Sequence, residues 1–181
     1  GATFNAGGIN VMPAIGYKSD RTTEITDTYV MVAVDGEFGA IGMEAELGYH
    51  SHDVDPGDWT AYGLYANVWY NMDPNKFGLA LAYGTWDEDT GGEFSFGDYD
   101  PTFIGTAYSE LAGALLVNLY AEFAPMDKLT IEPAVLYIKQ NEDDPGDDAY
   151  TELSCVFSYD VTDAVNYAVG VGYATADPGS G

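Results

Sequence analysis

Apolar residues alternate with small or polar ones, at period two, along nine stretches of this chain, most of them about ten residues long. In residues 40–50, Ile41, Met43, Ala45, Leu47 and Tyr49 fall on one face and Gly42, Glu44, Glu46, Gly48 and His50 on the other. Residues 60–72 set Tyr62, Leu64, Ala66, Val68 and Tyr70 against Gly63, Tyr65, Asn67, Trp69 and Asn71. Successive side chains of a strand point to opposite faces, so each run predicts a β-strand with one apolar face. The remaining runs are 8–18, 28–35, 77–86, 107–123, 129–139, 150–159 and 164–175. In 28–35, Val30, Val32 and Val34 form the apolar face. The Leu and Ala content of 107–123 would also suit a helix. As a strand it places Leu111, Leu115, Val117, Leu119 and Phe123 on the apolar face and Glu110, Asn118, Tyr120 and Glu122 on the other.

Short turns around 36–39, 73–76, 124–128 and 160–163 alternate with longer polar loops at 19–26, 51–58, 87–106 and 140–148. Two of the long loops contain Asp-Pro-Gly-Asp, a strong turn signal. Transmembrane β-barrels combine these features: strands of about ten residues, apolar toward lipid and polar toward the lumen, joined by short periplasmic turns and long external loops. Loop length therefore assigns a direction. On the apolar face Tyr17, Tyr49, Tyr62, Tyr83, Tyr137 and Tyr173 fall near the long-loop end, and Tyr70, Phe77, Phe123, Phe157, Tyr159 and Tyr167 near the short-turn end. Two girdles of rings are what amphipathic aromatics prefer at the two membrane interfaces.

On this pattern, residues 8–175 resemble Gram-negative outer-membrane β-barrels, most of all the general porins and related small barrels. The resemblance implies an all-β, antiparallel, up-and-down transmembrane barrel in the outer membrane of a Gram-negative bacterium. It rests on pattern and not on a motif. Such barrels commonly end in an aromatic residue at the periplasmic side, whereas this chain stops at Asp177-Pro178-Gly179-Ser180-Gly181. Eight to ten strands are expected within one domain, residues 1–181, or within a portion of one. Nine would leave the termini on opposite sides, and single-chain bacterial barrels usually have an even number. Either 8–18 is not a barrel strand and eight close, or the chain belongs to a larger porin-type barrel. Strands 77–86 and 164–175 offer mostly Gly and Ala inward, which favours a wider barrel than the side-chain-filled eight-stranded one.

Composition narrows the function. The first residue is Gly1, with no basic and apolar leader, so a mature or trimmed chain is expected. No run of 18 apolar residues is present, which excludes an ordinary spanning helix but not a barrel. Thirty acidic residues against five basic ones give a net charge of −25, which excludes nucleic acid as a partner and disfavours docking on anionic lipid. Acidic chains of this kind are often disordered, but 14% aromatic residues favour ordered strands. The acidity also fits a saline habitat. The single cysteine, Cys155, rules out an internal disulfide and a cysteine metal cluster, and on the strand pattern it faces lipid.

Candidate pore-lining residues are Glu44, Glu46, Asn67, Glu110, Asn118, Glu122, Glu132 and Glu152, with Lys18 near one rim as the only inward basic residue. Inward carboxylates favour cations and repel anions, or simply solvate a lumen. The expected function is passive diffusion of small hydrophilic solutes with a preference for cations. The rival is a structural or interaction barrel with a closed lumen and acidic external loops. Paired carboxylates such as Glu44/Glu46 carry no further sign of acid–base catalysis, Ser51 beside His50 and His52 has no mark of a nucleophile, and no phosphate loop is present, so an enzyme is not expected. A soluble acidic sandwich is the remaining alternative. No cofactor is expected, although His50 and His52 share a face and, with Asp53, Asp55 and Asp58, could hold a divalent cation. Glu142, Asp143, Asp144, Asp147 and Asp148 form a second acidic group of the same kind. Expected partners are membrane lipid, small solutes or ions, and further copies of the chain.

Overall fold

A computed structural model describes residues 2–22, 24–54, 57–87, 92–93, 113–140, 149–162 and 164–177. The described residues form strands and no helix. In chain order these are β1 (Phe4–Ala6), β2 (Ile9–Asp20), β3 (Ile25–Phe38), β4 (Ile41–Asp53), β5 (Trp59–Met72), β6 (Asn75–Gly84), β7 (Trp86–Asp87), β8 (Gly92–Glu93), β9 (Ala114–Met126), β10 (Leu129–Gln140), β11 (Ala149–Thr162) and β12 (Val165–Asp177). Ten of them make one up-and-down antiparallel sheet in the order β1-β2-β3-β4-β5-β6-β9-β10-β11-β12. β7 and β8 form a separate small hairpin that lies against β5.

All nine predicted strands are present, and the stretch that also suited a helix is strand from Ala114 onward. Residues 107–112, including Glu110 and Leu111, lie outside the described residues. Besides the small β7–β8 hairpin, which falls at the expected 87–106 loop, the additional strand is β1 in the main sheet, which turns at Gly7–Gly8, both at positive φ, and runs antiparallel to β2. That makes ten strands in the main sheet of the described residues where the alternation counts nine, and the parity becomes even. The sheet is not closed: among the described residues β1 and β12 are its edges.

Several strands exceed their predicted bounds. β3 starts at Ile25 rather than 28, and β4 continues to Asp53 rather than 50. The added outward residues Thr26, Ser51 and Asp53 are polar: Thr26 pairs with Asp53, and Ser51 with Thr28. Hydrophobic alternation marks only the stretch with an apolar outer face, whereas the hydrogen-bonded ladder runs on past it. The short turns are correspondingly tighter than predicted, with Gly39–Ala40 and Asp127–Lys128 as two-residue links. Neighbouring hairpins are tied at this end by Asn71 N–H donating to the Ala40 carbonyl at 2.7 Å and Asp160 N–H to the Lys128 carbonyl at 2.9 Å.

The register confirms the predicted faces. Ile15, Val30, Tyr49 and Tyr62 are cross-strand neighbours, as are Leu79 and Leu119, and all are exposed. The outward face is therefore a continuous apolar belt. Rings meet at both ends of it: Tyr62 packs near Tyr83 (centroids 6.4 Å) and Phe77 meets Phe123 edge-on (5.5 Å). Cys155 shares this outer face, paired with Pro133 and Val171.

Candidate functional site

The inward face is the opposite set of alternating positions, and the ladder aligns it into rows. One row runs Asn10, Asp35, Glu44, Asn67, Ala80, Asn118, Leu136, Glu152 across eight strands. Four of the predicted lining residues, Glu44, Asn67, Asn118 and Glu152, thus share one line. Around Glu44 the row becomes a network. The Tyr65 hydroxyl donates to Glu44 Oε1 at 2.7 Å, Asn67 Nδ2 donates to the same oxygen at 3.1 Å, and the Tyr120 hydroxyl donates to Asn67 Oδ1 at 3.0 Å. Asn10 donates to Asp35 at 2.7 Å, which adds Asp35 to the inward carboxylates.

Two glycines let the inward rings lie flat on the wall. A Cβ at Gly42 would sit 2.1 Å from the Trp69 ring, and one at Gly78 would sit 2.1 Å from Tyr120 Cζ. Glycine in a strand commonly marks such a close approach. The Lys76 ammonium lies 5.0 Å from the Trp69 ring and 5.8 Å from the Tyr120 ring. This corrects the expectation that Lys18 is the only inward basic residue. Lys76 belongs to β6 and not to the turn, because the tight Asp73–Pro74 link lets pairing resume at Asn75. Its ladder partner on β9 is Glu122, so residues of both signs occupy the inner face near the short-turn end.

The other predicted lining residues occupy different environments. Glu46 and Glu122 are half-buried, Glu132 is exposed, and Glu110 lies outside the described residues. Glu152 is buried (1% exposed) and accepts a hydrogen bond from the Tyr150 hydroxyl at 2.6 Å. It sits beside an inward apolar patch that the polar-lumen expectation missed: Leu116, Leu136 and Ile138 are fully buried with Ala82, Ala114 and Tyr150. The Asn118 Oδ1 nearby is buried with no partner among the described residues. The signal for this patch was the parity of Leu136 and Ile138, which alternation assigns to the same face as Glu132.

At the long-loop end of the inward face, β3, β4 and β5 bring five side chains together. Asp27 pairs with His52 across the ladder, and His52 with Trp59. His52 Nδ1 lies 2.6 Å and His50 Nε2 3.2 Å from the same oxygen, Asp27 Oδ1. Tyr29 stacks on His50 (centroids 3.9 Å), while Trp59 meets His50 edge-on at 4.5 Å and stacks on His52 at 5.1 Å. Of the carboxylates predicted to accompany the histidines, the two described ones are placed elsewhere. Asp53 is exposed on the outward face, Asp58 accepts the Val54 N–H at 2.9 Å to close the turn, and Asp55 is outside the described residues. The acidic group at 142–148 is also outside them.

No family model and no curated protein matches the chain. A solved structure does: the crystal structure of Pseudomonas aeruginosa OccK11 (OpdR), an outer-membrane porin. The TM-score is 0.59 at 14% identity, with 97% of this chain and 50% of that chain covered. The likeness is one of fold. It identifies the ten-stranded sheet as porin-like, with this chain spanning about half the length of the porin it matches.

Proposed function

We propose that this chain forms the wall of an outer-membrane channel through which small hydrophilic solutes diffuse passively, with cations preferred. The observation that carries the reading is the contrast between the two faces. The outer face is an uninterrupted apolar belt between two rows of rings, and the inner face holds the Glu44–Tyr65–Asn67–Tyr120 network and a row of carboxyl and amide groups. Soluble proteins rarely expose apolar patches beyond a few hundred Å², whereas an apolar outer band with a polar interior is the design of a membrane barrel. The porin-like fold supports the same reading. Carboxylates Glu44, Glu46 and Asp35 on adjacent strands supply the field that draws cations. Lys76 near the short-turn end opposes it locally. The reading assigns transport, and no catalysis, to the inner wall.

A second reading is a barrel with a closed lumen that acts through its external loops. The buried inward patch of Leu116, Leu136 and Ile138 favours it, because apolar side chains on the inner face must be covered. Single-channel recording in planar bilayers separates the two. Discrete, ohmic conductance steps support the channel, and a bilayer that stays silent after verified insertion supports the closed barrel.

A further inference from the structure

The Asp27–His50–His52 cluster is chemically unlike the rest of the inner wall. The sequence contains two histidines, and both aim a ring nitrogen at one carboxylate oxygen. We propose that Asp27, His50 and His52 form a binding site for a first-row transition dication, Zn²⁺ or Cu²⁺, at the long-loop rim of the inner wall.

The ligand set fits. Imidazole nitrogens suit Zn²⁺ and Cu²⁺, whereas the surrounding loop carboxylates suit harder ions such as Ca²⁺. Two histidines and one carboxylate are a recognised three-ligand set for zinc, with a further position left to water or another ligand. The two separations from Asp27 lie near those of a coordination sphere. His50 Nε2, His52 Nδ1 and an Asp27 carboxylate oxygen all lie within 4.8 Å of one another. Metal–ligand bonds of about 2.1 Å place neighbouring donor atoms roughly 3.0–3.4 Å apart in octahedral or tetrahedral geometry. The His50–Asp27 separation of 3.2 Å is already in that range. The His52–Asp27 separation of 2.6 Å has to open by about 0.4–0.8 Å to reach the same range. To coordinate, each imidazole presents the lone pair of the nitrogen that faces Asp27 and keeps its remaining proton on the other ring nitrogen.

The site is also preorganised. Histidines two apart on a strand share a face, and the ladder fixes Asp27 opposite His52. Tyr29 and Trp59 hold both imidazole planes by stacking and edge contact, so few rotamers remain to be lost on binding. Asp27 is buried (7% exposed), and its charge is held between the histidines. The cation on the adjoining strand is Lys18, the ladder neighbour of Asp27, whose exposed side chain lies at the surface.

The test uses the full chain without a polyhistidine tag, in detergent, with millimolar Ca²⁺ present to occupy the hard carboxylate sites. Zn²⁺ is titrated calorimetrically, and Cu²⁺ binding is read by electron paramagnetic resonance. One Zn²⁺ per chain is expected, with affinity falling at least about tenfold in each of His50→Gln, His52→Gln and Asp27→Asn. Asp53→Asn, on the outward face, should leave it unchanged. The Cu²⁺ spectrum should show nitrogen superhyperfine coupling that disappears in the double histidine variant. Oxygen-only coordination of Cu²⁺ in the unaltered protein, or Zn²⁺ affinity within twofold of it in the double variant, overturns the proposal. The unaltered protein's Cu²⁺ spectrum decides the matter even where a variant fails to fold. The measurement is independent of conductance, so it stands or falls apart from the channel reading.

Discussion

Replacing Glu44 by Gln removes a charge from the inner wall while leaving its shape in place. The retained Oε1 can still accept from the Tyr65 hydroxyl and from Asn67 Nδ2, which now sit at 2.7 and 3.1 Å. A cation passing about 6 Å from the carboxylate is stabilised by about 0.7 kcal/mol at the permittivity of water and about 3 kcal/mol at the effective value near a protein surface. The lower figure alone lowers cation occupancy about threefold on removal. An anion is repelled by a similar amount, so the cation-to-anion permeability ratio should fall about tenfold, equivalent to roughly 1.4 kcal/mol. The assay is the reversal potential across a planar bilayer under a KCl gradient. The effect should be largest near 0.1 M, where the screening length is about 10 Å, and fade near 1 M, where it is about 3 Å. Asp53→Asn, which removes an outward-facing charge, is the control. An unchanged reversal potential at 0.1 M, in channels that still conduct, refutes the placement of Glu44 on the conduit.

Gly78→Ala puts a Cβ 2.1 Å from Tyr120 Cζ and must push that ring off the wall, breaking its bond to Asn67. The expected outcome is about 1–3 kcal/mol of lost stability together with reduced conductance as the ring enters the lumen, read by denaturant titration and single-channel recording. Leu136→Ala empties part of the buried inward patch and should cost about 2–5 kcal/mol, whereas Leu119→Ala on the exposed outer face should cost clearly less in the same titration. Tyr150→Phe withdraws a donor 2.6 Å from the buried Glu152 carboxyl and should cost about 1–3 kcal/mol, seen as a lower thermal midpoint on a heat-modifiability gel. Alternate residues of β12 direct N–H and C=O away from β11, and unpaired backbone groups in lipid cost several kcal/mol each. In the membrane-inserted full protein, those edge amides should therefore be as protected from hydrogen exchange as the ones facing β11, and fast exchange there would show an open edge.

The strands and their two faces were legible because one repulsion governs them. Every outward residue between the girdles must tolerate an apolar neighbour, so Leu47, Leu64, Leu81 and Val135 announce both strand and facing. Strand ends were not legible for the same reason. Beyond the belt, outward positions such as Thr26, Ser51 and Asp53 carry no apolar signature although the ladder continues through them. The inner face was legible only in part. Polar inward residues such as Glu44 and Asn67 fell where the period placed them. The inward Leu116, Leu136 and Ile138 look like any apolar residue, and alternation alone cannot say what an apolar inward side chain packs against. Lys76 was hidden by turn chemistry, since Asp73-Pro74-Asn75-Lys76 reads as four turn residues and only two are used.

The rim cluster shows what register adds to period. Period two places His50 and His52 on the inner face but names no third partner, and composition points to the nearest carboxylates in sequence, Asp53, Asp55 and Asp58. Sequence proximity misleads here because adjacent strand residues face opposite sides, which sends Asp53 outward, and because Asp58 is engaged in closing its own turn. The partner comes instead from the neighbouring strand. Once the tight turn fixes Phe38 opposite Ile41, stepping back equally along β3 and forward along β4 brings Asp27 opposite His52 and Tyr29 opposite His50. A hairpin with a two-residue turn leaves no slack in that count, so cross-strand arithmetic from the turn identifies chemical neighbours that spacing along the chain cannot. The same arithmetic aligns Asp35 with Glu44, and the β4–β5 ladder then sets Glu44 opposite Asn67. Thus the β3–β4 pairs at the heart of both chemically distinct places on this wall, Asp35 with Glu44 and Asp27 with His52, follow from turn length as directly as the apolar belt follows from alternation.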